Sequence, residues 1–382
     1  MEPMKPAERK RTVRTFALAS FLNDMGSDMI YPIWPLFVTS FLGADMAVLG
    51  FIDGLGDALV SVSQAASGYA SDRLGRRKVF VWTGYLFGSA SRVGYALSTA
   101  WQHLIPFRIL DRVGKMRGAP RDAMIADASD RKNRGSTFGV LRTMDNLGAI
   151  CGIILCIALF GTFGYANLFA LAAIPSTIGA VMVLLVIKEK RTPGRIYRGL
   201  SLKRMGRNLK LFLAISAIFA LGSFSYSFLL IFAKQAGFDV AFVPVLYLVF
   251  TAVAFAFSLP FGKLADRIGR KRVLMISYAF WALLCLISLL TQSYAAVFAI
   301  FLLYGLHKGA LEPSQKALVS ELAPAESRAS ALGAFQMAVG ICALPASMLA
   351  GLLWDWTGMA TPFYLSLALT AVSMTMLAFV KE

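Results

Sequence analysis

The sequence predicts an all-α membrane protein of twelve transmembrane helices arranged as two six-helix bundles. Three observations carry this. Of 382 residues, 57% are hydrophobic and 15% charged, with a mean hydropathy of +0.65; soluble domains hold about 45–50% apolar and about 25% charged residues. The apolar residues gather in runs near the roughly 20 residues a helix needs to cross a bilayer. Finally, one charged stretch occurs twice. Gly68-Tyr69-Ala70-Ser71-Asp72-Arg73-Leu74-Gly75-Arg76-Arg77-Lys78-Val79 returns as Gly262-Lys263-Leu264-Ala265-Asp266-Arg267-Ile268-Gly269-Arg270-Lys271-Arg272-Val273, 194 positions later.

In chain order, the predicted spans of the first half are 13–39, 46–70, 79–99, 102–128, 136–161 and 165–187. Those of the second half are 210–233, 239–264, 273–292, 295–321, 329–353 and 360–380. This gives an N-terminal bundle over 1–187, a linker over 188–209 and a C-terminal bundle over 210–382. The linker region holds Arg191, Pro193, Gly194, Arg195, Arg198, Lys203, Arg204 and Arg207, as befits a solvated connector with some affinity for anionic lipid. Basic clusters occupy alternate loops: the N-terminal tail, Arg73–Lys78, Arg131–Arg134, the linker and Arg267–Arg272. The positive-inside rule then places both termini in the cytoplasm, with the chain in the cytoplasmic (inner) membrane. The same rule accounts for the net charge of +17 without a nucleic-acid partner, and no aromatic-basic platform supports one.

The offset of 194 extends beyond the loop. Asp127, Arg134 and Gly135 match Glu321, Arg328 and Ala329, and Phe138-Gly139 matches Leu332-Gly333. The two halves therefore read as a duplication, a layout that places a transport site between repeats. The four cysteines, Cys151, Cys156, Cys285 and Cys342, lie in apolar runs without metal-ligand spacing and read as core residues. The basic N-terminus runs directly into the first apolar segment, which reads as an uncleaved helix. The sequence holds no phosphate loop, zinc-protease motif or nucleophile elbow, so neither an enzyme nor a cofactor is expected.

The doubled Gly-x3-Asp-Arg-x-Gly-Arg-[Arg/Lys] loop, between segments 2 and 3 and again between 8 and 9, resembles the signature loop of the major facilitator superfamily. The resemblance covers essentially the whole chain. It implies a two-bundle fold with alternating access, and a cytoplasmic latch built from the loop and an acidic residue at the end of segment 4. In this sequence the latch residues are Gly68, Asp72, Arg73, Gly75, Arg76 and Asp127, with Asp122 as the alternative to Asp127, and Asp266 and Arg270 in the second copy. Gly68 and Gly262 are expected to let helices approach closely, Gly75 and Gly269 to permit tight turns, and Asp72 to pair with Arg76 four residues on.

Charge inside the membrane is costly, about 2.5–3.5 kcal/mol at the centre on insertion scales, so its positions point to function. Segment 1 carries Asp24 and Asp28 on one helix face. From a start near Arg14, Asp24 lies about 15 Å deep at about 1.5 Å per residue. Two carboxylates so close in a low dielectric resist simultaneous ionisation, which suits a group that takes and releases a proton. Segment 4 places Arg108, Asp111, Arg112, Lys115 and Asp122 on one stripe, with Arg117 and Arg121 on the other side. Segment 5 adds Arg142 and Asp145. Antiporters of the resembled superfamily carry Arg-x-x-Gln-Gly in segment 4; Arg108-Ile109-Leu110-Asp111-Arg112 keeps the Arg and replaces the other two positions. They also often carry Gly-Pro in segment 5, where Gly148-Ala149-Ile150-Cys151-Gly152 has no Pro.

These residues divide into proton-coupling candidates (Asp24, Asp28, Arg108 and Asp145) and solute-binding candidates (Arg112, Lys115, Arg142 and Tyr226). Asp53 and Asp57 add acid on segment 2. At the offset of 194, Arg142 becomes Gln336 and Asp145 becomes Val339, so the first half is expected to do the coupling. Phe224, Tyr226, Phe228 and Phe232 of the second half are expected to offer apolar solute contact. The resulting expectation is a secondary transporter, proton-coupled and driven by the proton gradient, a monomer in contact with membrane lipids. It moves a small organic solute, with efflux preferred. Proton-driven uptake of an organic anion or siderophore-like solute is the alternative, and a transporter-like sensor without transport is the alternative of another class.

Overall fold

The structure is a computed structural model that describes residues 6–129, 134–189, 206–323 and 328–381. The linker basics from Arg191 to Arg204, and Arg131 to Asn133 of the basic loop before segment 5, lie outside the described residues. Among the described residues every regular element is a helix. The first six are α1 (Pro6–Asp28), the short α2 (Trp34–Leu36), α3 (Met46–Leu74), α4 (Lys78–Ala96), α5 (Trp101–Val113) and α6 (Gly118–Ala128). They continue with α7 (Arg134–Val186), α8 (Arg207–Gly222), α9 (Tyr226–Gln235), α10 (Val243–Ile268), α11 (Arg270–Leu290), α12 (Tyr294–Leu322), α13 (Arg328–Thr357) and α14 (Thr361–Ala378).

These helices make twelve crossings. Eight apolar stretches among the described residues are long enough to span a bilayer. One of them, within α7, holds two crossings, because Gly164 leaves helical geometry at φ 66° and ψ −171°. The remaining crossings are α1, α4 and the pair α5–α6, which carry too much charge or polar character, or are too broken, to qualify on apolar length alone. Span 4 is interrupted by a 3-10 turn over Gly114–Arg117. Span 7 is broken between α8 and α9 at Ser223–Ser225, where the Ser225 hydroxyl accepts from the Ser227 N–H as the N-cap of α9, a strongly preferred residue type for that position.

The chain divides into two compact units. One comprises Met1–Trp34 and Leu59–Tyr197; the other comprises Pro35–Ala58 and Arg198–Glu382. Helix α3 contributes to both, residues 46–58 to the second unit and 59–74 to the first.

In the first unit α1 lies along α7 with backbone-close packing. A Cβ at Gly148 would meet the Phe21 carbonyl, and one at Gly152 the Met25 carbonyl. Small residues at four-residue spacing are what such an approach needs in a membrane, where helices gain little from hydrophobic exclusion. An apolar cluster of Phe16, Val81, Tyr85, Ile125, Leu141 and Val183 closes this end of the unit. In the second unit the centre is aromatic. Phe219 stacks on Tyr278 with ring centroids 4.0 Å apart, and Phe224 packs on Trp281 and Phe363. Phe228 packs on Trp354 and Phe232 on Phe363. Phe224, Phe228 and Phe232 are all buried. The expectation that they face a solute is therefore corrected: ring burial is used up in packing. His307 is buried in the same centre and bonds through Nδ1 to the Ser277 hydroxyl and carbonyl, each at 2.9 Å.

Candidate functional site

The charged residues of the first unit gather into two groups on α1, α4, the span-4 helices and α7. The deeper group centres on Arg92, which is 2% exposed. Its Nη2 donates to the Ser27 hydroxyl at 2.7 Å and to the Asn23 carbonyl at 3.2 Å. Asp111 lies within electrostatic reach of Arg92, Arg108, Arg112 and Lys115, and Arg112 Nε stands 3.6 Å from its carboxylate. The guanidinium of Arg108, itself 2% exposed, lies 4.5 Å over the Trp34 ring. That of Arg112 lies 5.3 Å over the Tyr31 ring and donates to the Tyr31 hydroxyl at 3.4 Å. Aromatic faces attract guanidinium groups, the more so when dry, and a carboxylate amid several cations offsets their mutual repulsion.

The second group centres on Arg121. It donates to Ser20 at 2.7 Å, pairs with Asp122 at 3.1 Å and approaches Asp145 at 3.8 Å. Arg142 reaches the other Asp145 oxygen at 3.5 Å, and its side chain is 65% exposed. Ser20 also bonds the Tyr85 hydroxyl at 3.2 Å, and Arg117 lies 4.8 Å over the Tyr85 ring. Asp24 accepts from the Asn23 amide at 2.9 Å and is within electrostatic reach of both Asp145 and Arg121. Two half-buried carboxylates, from α1 and α7, thus lie near one another, with Asp145 paired to both Arg121 and Arg142.

The structure rearranges parts of the sequence reading. Arg121 had fallen on the far side of span 4, yet it is the centre of the second group. The 3-10 turn over Gly114–Arg117 explains this. Four residues at 3.0 per turn instead of 3.6 rotate everything after them by about 80°, so a single α-helical projection of span 4 fails past Val113. Asp122 accordingly leaves the predicted stripe and pairs with Arg121. Asp28 is the last residue of α1, half-buried, with Gly152 of α7 beside its backbone. Lys115 is half-buried in the 3-10 turn. Tyr226 opens α9 in the second unit with its ring against Tyr247 and Phe250. Arg92 was missed in the sequence reading, although its signal was there: it is the only charged residue between Val79 and Thr99.

The doubled loop forms one triad in each unit. Arg77 bonds Asp72 at 2.8 Å and Asp127 at 2.6 Å. The expected Asp72–Arg76 pair is replaced because α3 ends at Leu74 and Gly75, at φ 63°, turns the chain. Helical four-residue spacing does not survive that turn, so Arg76 and Arg73 stay exposed. In the second copy Arg270 bonds Asp266 at 3.2 Å and Glu321 at 2.9 Å. Gly269 supplies the turn, at φ 99°. Gly68 and Gly262 do not serve close approach here: an added Cβ at Gly68 would meet only the Ala119 methyl at 3.4 Å, and at Gly262 open space. Glu189 accepts from the backbone N–H groups of Arg77 and Lys78, fixing the start of α4.

In the second unit, residues 46–58 of α3 bring a carboxylate into the aromatic half. Asp53 is 2% exposed and accepts from the hydroxyls of Ser225 and Ser227 through one oxygen, Oδ2. Asp355 of α13 accepts from the N–H groups of Met46 and Ala47 at 3.2 and 2.7 Å. Among the described residues no group of three or more His, Cys, Asp and Glu side chains is placed to hold a metal ion.

Comparison with known proteins agrees with this architecture. An uncharacterized MFS-type transporter of Methanocaldococcus jannaschii is 36% identical over 384 residues, covering 98% of this chain and 96% of that one. The multi-drug resistance efflux pump PmrA of Streptococcus pneumoniae is 24% identical over 330 residues, 82% of each chain. The solved nucleoside transporter NupG superposes with a TM-score of 0.81 at 15% identity, covering 97% of this chain and 100% of that one. The Major Facilitator Superfamily profile matches residues 16–254 and 211–382. With a family match running through both halves, the chain belongs to the Major Facilitator Superfamily and is an integral membrane transporter, not an enzyme.

Proposed function

We propose that this transporter couples the movement of a small organic solute to protons, with efflux as the favoured direction. The observation that carries the reading is that Asp24 of α1 and Asp145 of α7 lie within electrostatic reach of each other. Two neighbouring carboxylates in a low dielectric repel when both are charged, which suits a pair that takes and releases a proton. Asp24 and Asp145 are the coupling carboxylates, with Asp28 and Arg108 assisting. Arg112, Lys115, Arg142 and Tyr226 are the solute-binding candidates. The loop residues Gly68, Asp72, Arg73, Gly75, Arg76, Asp127, Asp266 and Arg270 form the latch, with Arg77 as its working cation in the first copy. The efflux preference draws support from PmrA and from the multidrug resistance protein MdtG of Escherichia coli, 25% identical over 330 residues. The transporter acts as a monomer in the cytoplasmic membrane with both termini in the cytoplasm.

The test uses purified protein in proteoliposomes with ethidium as the probe. An imposed pH gradient is expected to drive ethidium movement in the natural protein, and Asp24→Asn is expected to abolish it while ethidium counterflow persists. Intact pH-driven movement in Asp24→Asn would refute the coupling assignment. A second reading, proton-driven uptake of an organic anion, rests on Arg112 over the Tyr31 ring and Lys115 within electrostatic reach of Asp111. It fails if Arg112→Gln and Lys115→Gln leave anion uptake unchanged. Saturable binding without counterflow of any bound solute would favour a sensor.

A further inference from the structure

The second unit carries a charged cluster that the coupling network does not include. We propose that Asp57 and Glu312 recognise solutes bearing an organic cation on an apolar body, and that the ammonium of Lys308 occupies this site as a tethered cation which the solute displaces. This rests on the reading that the transporter binds a small organic solute, and it names the class of that solute.

The cluster is built on one face of α12. Tyr304, Lys308 and Glu312 follow one another at four-residue spacing, so their side chains share a stripe. Gly305 and Gly309 set the rotation of that stripe. A Cβ at Gly305 would meet the Phe250 carbonyl and Val253, and one at Gly309 the Ala254 carbonyl, so α12 lies backbone-close on α10. The Lys308 ammonium stands 5.6 Å over the Tyr304 ring, an attraction that grows as water is excluded. Asp57, from the first half of α3, and Glu312 both act on Lys308 through their charge. The Tyr304 ring meets Phe250 at 5.0 Å, and Phe250 meets Tyr247 at 4.7 Å and Tyr226 at 6.2 Å. Two carboxylates and a wall of rings are thus arranged around one cation, and the wall ends on Tyr226, a solute-binding candidate. This is the chemistry that holds a positive group carried on an aromatic or apolar body.

Depth and exposure make the resident cation replaceable. Asp57 lies about 17 Å from the start of α3, and Glu312 about 15 Å from the end of α12, at about 1.5 Å per residue. Both are nevertheless exposed. Charged side chains at such depth face the bundle interior or a water-filled cavity, not lipid, so the exposed carboxylates are open to a solute. Lys308 is half-buried. Lysine carries a compact, strongly hydrated charge on a flexible stem, which lets its ammonium swing into water when another cation takes its place. The exchange puts one cation where another stood and makes or breaks no covalent bond. At the offset of 194, Tyr304, Lys308 and Glu312 correspond to Leu110, Gly114 and Gly118, and Asp57 corresponds to Thr251. The first unit has no such cluster at those positions.

The test is equilibrium binding of tetraphenylphosphonium to the purified full-length protein, measured calorimetrically with no gradient imposed. Triphenylphosphine oxide, uncharged and of similar shape, is the second probe. Asp57→Asn and Glu312→Gln are each expected to weaken tetraphenylphosphonium binding several-fold and to leave the neutral probe unchanged. Lys308→Met is expected to tighten tetraphenylphosphonium binding several-fold, because the resident competitor is gone. Lys308→Arg keeps the competing charge and should not tighten it. Lys316→Met, at an exposed position one turn beyond Glu312, should change little. A merely structural Lys308 would instead weaken both probes when replaced. If Lys308→Met does not fold, Lys308→Gln, which keeps a polar tip at the carboxylates, must show the same tightening. Weaker or unchanged tetraphenylphosphonium binding on loss of the Lys308 charge, an equal gain in Lys316→Met, equal changes for both probes, or no binding to either the natural protein or Lys308→Met would overturn the proposal. Failure of pH-driven ethidium movement beside the expected binding results would refute proton coupling and leave this site standing.

Discussion

The two units share one helical plan and fill it with different chemistry. The first buries guanidinium groups: Arg92, Arg108 and Arg112 surround one buried carboxylate, Asp111, while Arg108, Arg112 and Arg117 lie over the rings of Trp34, Tyr31 and Tyr85. The second buries rings on rings around Trp281, Tyr278 and Phe363. Its buried carboxylate, Asp53, comes from α3, which the first unit also uses. The lesson concerns what duplication constrains. Helix packing asks only for surfaces that fit, and aromatic or polar interiors both satisfy it. Buried charge asks for a partner, since an unpaired ion costs several kcal/mol. Buried charge therefore persists where it is paired, and among the described residues it is concentrated in the first unit and one half of α3.

The comparison breaks or sharpens under substitution. The largest effect is expected at Asp111. Asp111→Ala leaves Arg92, Arg108 and Arg112 buried without their carboxylate, and breaking one side of a buried ion pair costs about 3–5 kcal/mol. Thermal unfolding of the purified protein should drop sharply or folded yield should vanish. An unchanged melting temperature would mean the first unit does not depend on charge balance. Next is Gly54→Leu, which forces side-chain atoms into the Leu344 backbone; overpacking of this kind costs about 1–3 kcal/mol. The same assay on Gly262→Leu, at a position facing open space, should show little change, and equal effects at both would contradict the close packing of α3. The smallest effect is expected at the loops. Arg77→Ala and Arg270→Ala each remove a partly exposed ion-pair centre worth no more than about 1 kcal/mol. Both variants should melt close to the natural protein. Their influence should appear instead in transport rate, and a large loss of stability from either would make the triads structural.

The loops themselves sharpen the comparison in another way. Positions 72 and 127 correspond to 266 and 321 at the constant offset, and each acidic pair is bridged by one arginine. The bridging arginine differs. Arg270 occupies the position of Arg76, whereas Arg77 occupies that of Lys271. Lys271 donates instead to the carbonyls of Ala378 and Val380. A guanidinium can serve two carboxylates from one fork, which a lysine cannot do with the same geometry. The triad thus forms around whichever arginine the turn at Gly75 or Gly269 delivers.

Much of the fold was legible because it depends on properties that add along the chain. Apolar length gave the crossings, loop charge their alternation, and the offset of 194 the duplication. Asp24, Arg108, Arg112 and Asp145 were legible as charges in apolar surroundings. Arg92 carried the same signal on span 3. Arg121 was not legible by helical projection, because a 3-10 turn of four residues reset the face. The apolar role expected of Phe224, Phe228 and Phe232 failed for a related reason: helical spacing identifies a face, and only neighbours decide whether it meets solute or other rings.

By itself the sequence determined that the chain is a twelve-span, duplicated membrane protein with intramembrane charge concentrated in its first half. Hydropathy, charge and repetition are local or additive, and the bilayer enforces them. Only the tertiary structure decided which arginine closes each loop triad, that Arg121 approaches Asp145, and that Asp53 meets Ser225 and Ser227. Those partners lie from a few to 174 residues apart, on separate helices or across a turn. Their meeting depends on helix rotation and on breaks at Gly75, Gly114–Arg117 and Ser223–Ser225, and a one-residue change in any of these points a different side chain inward.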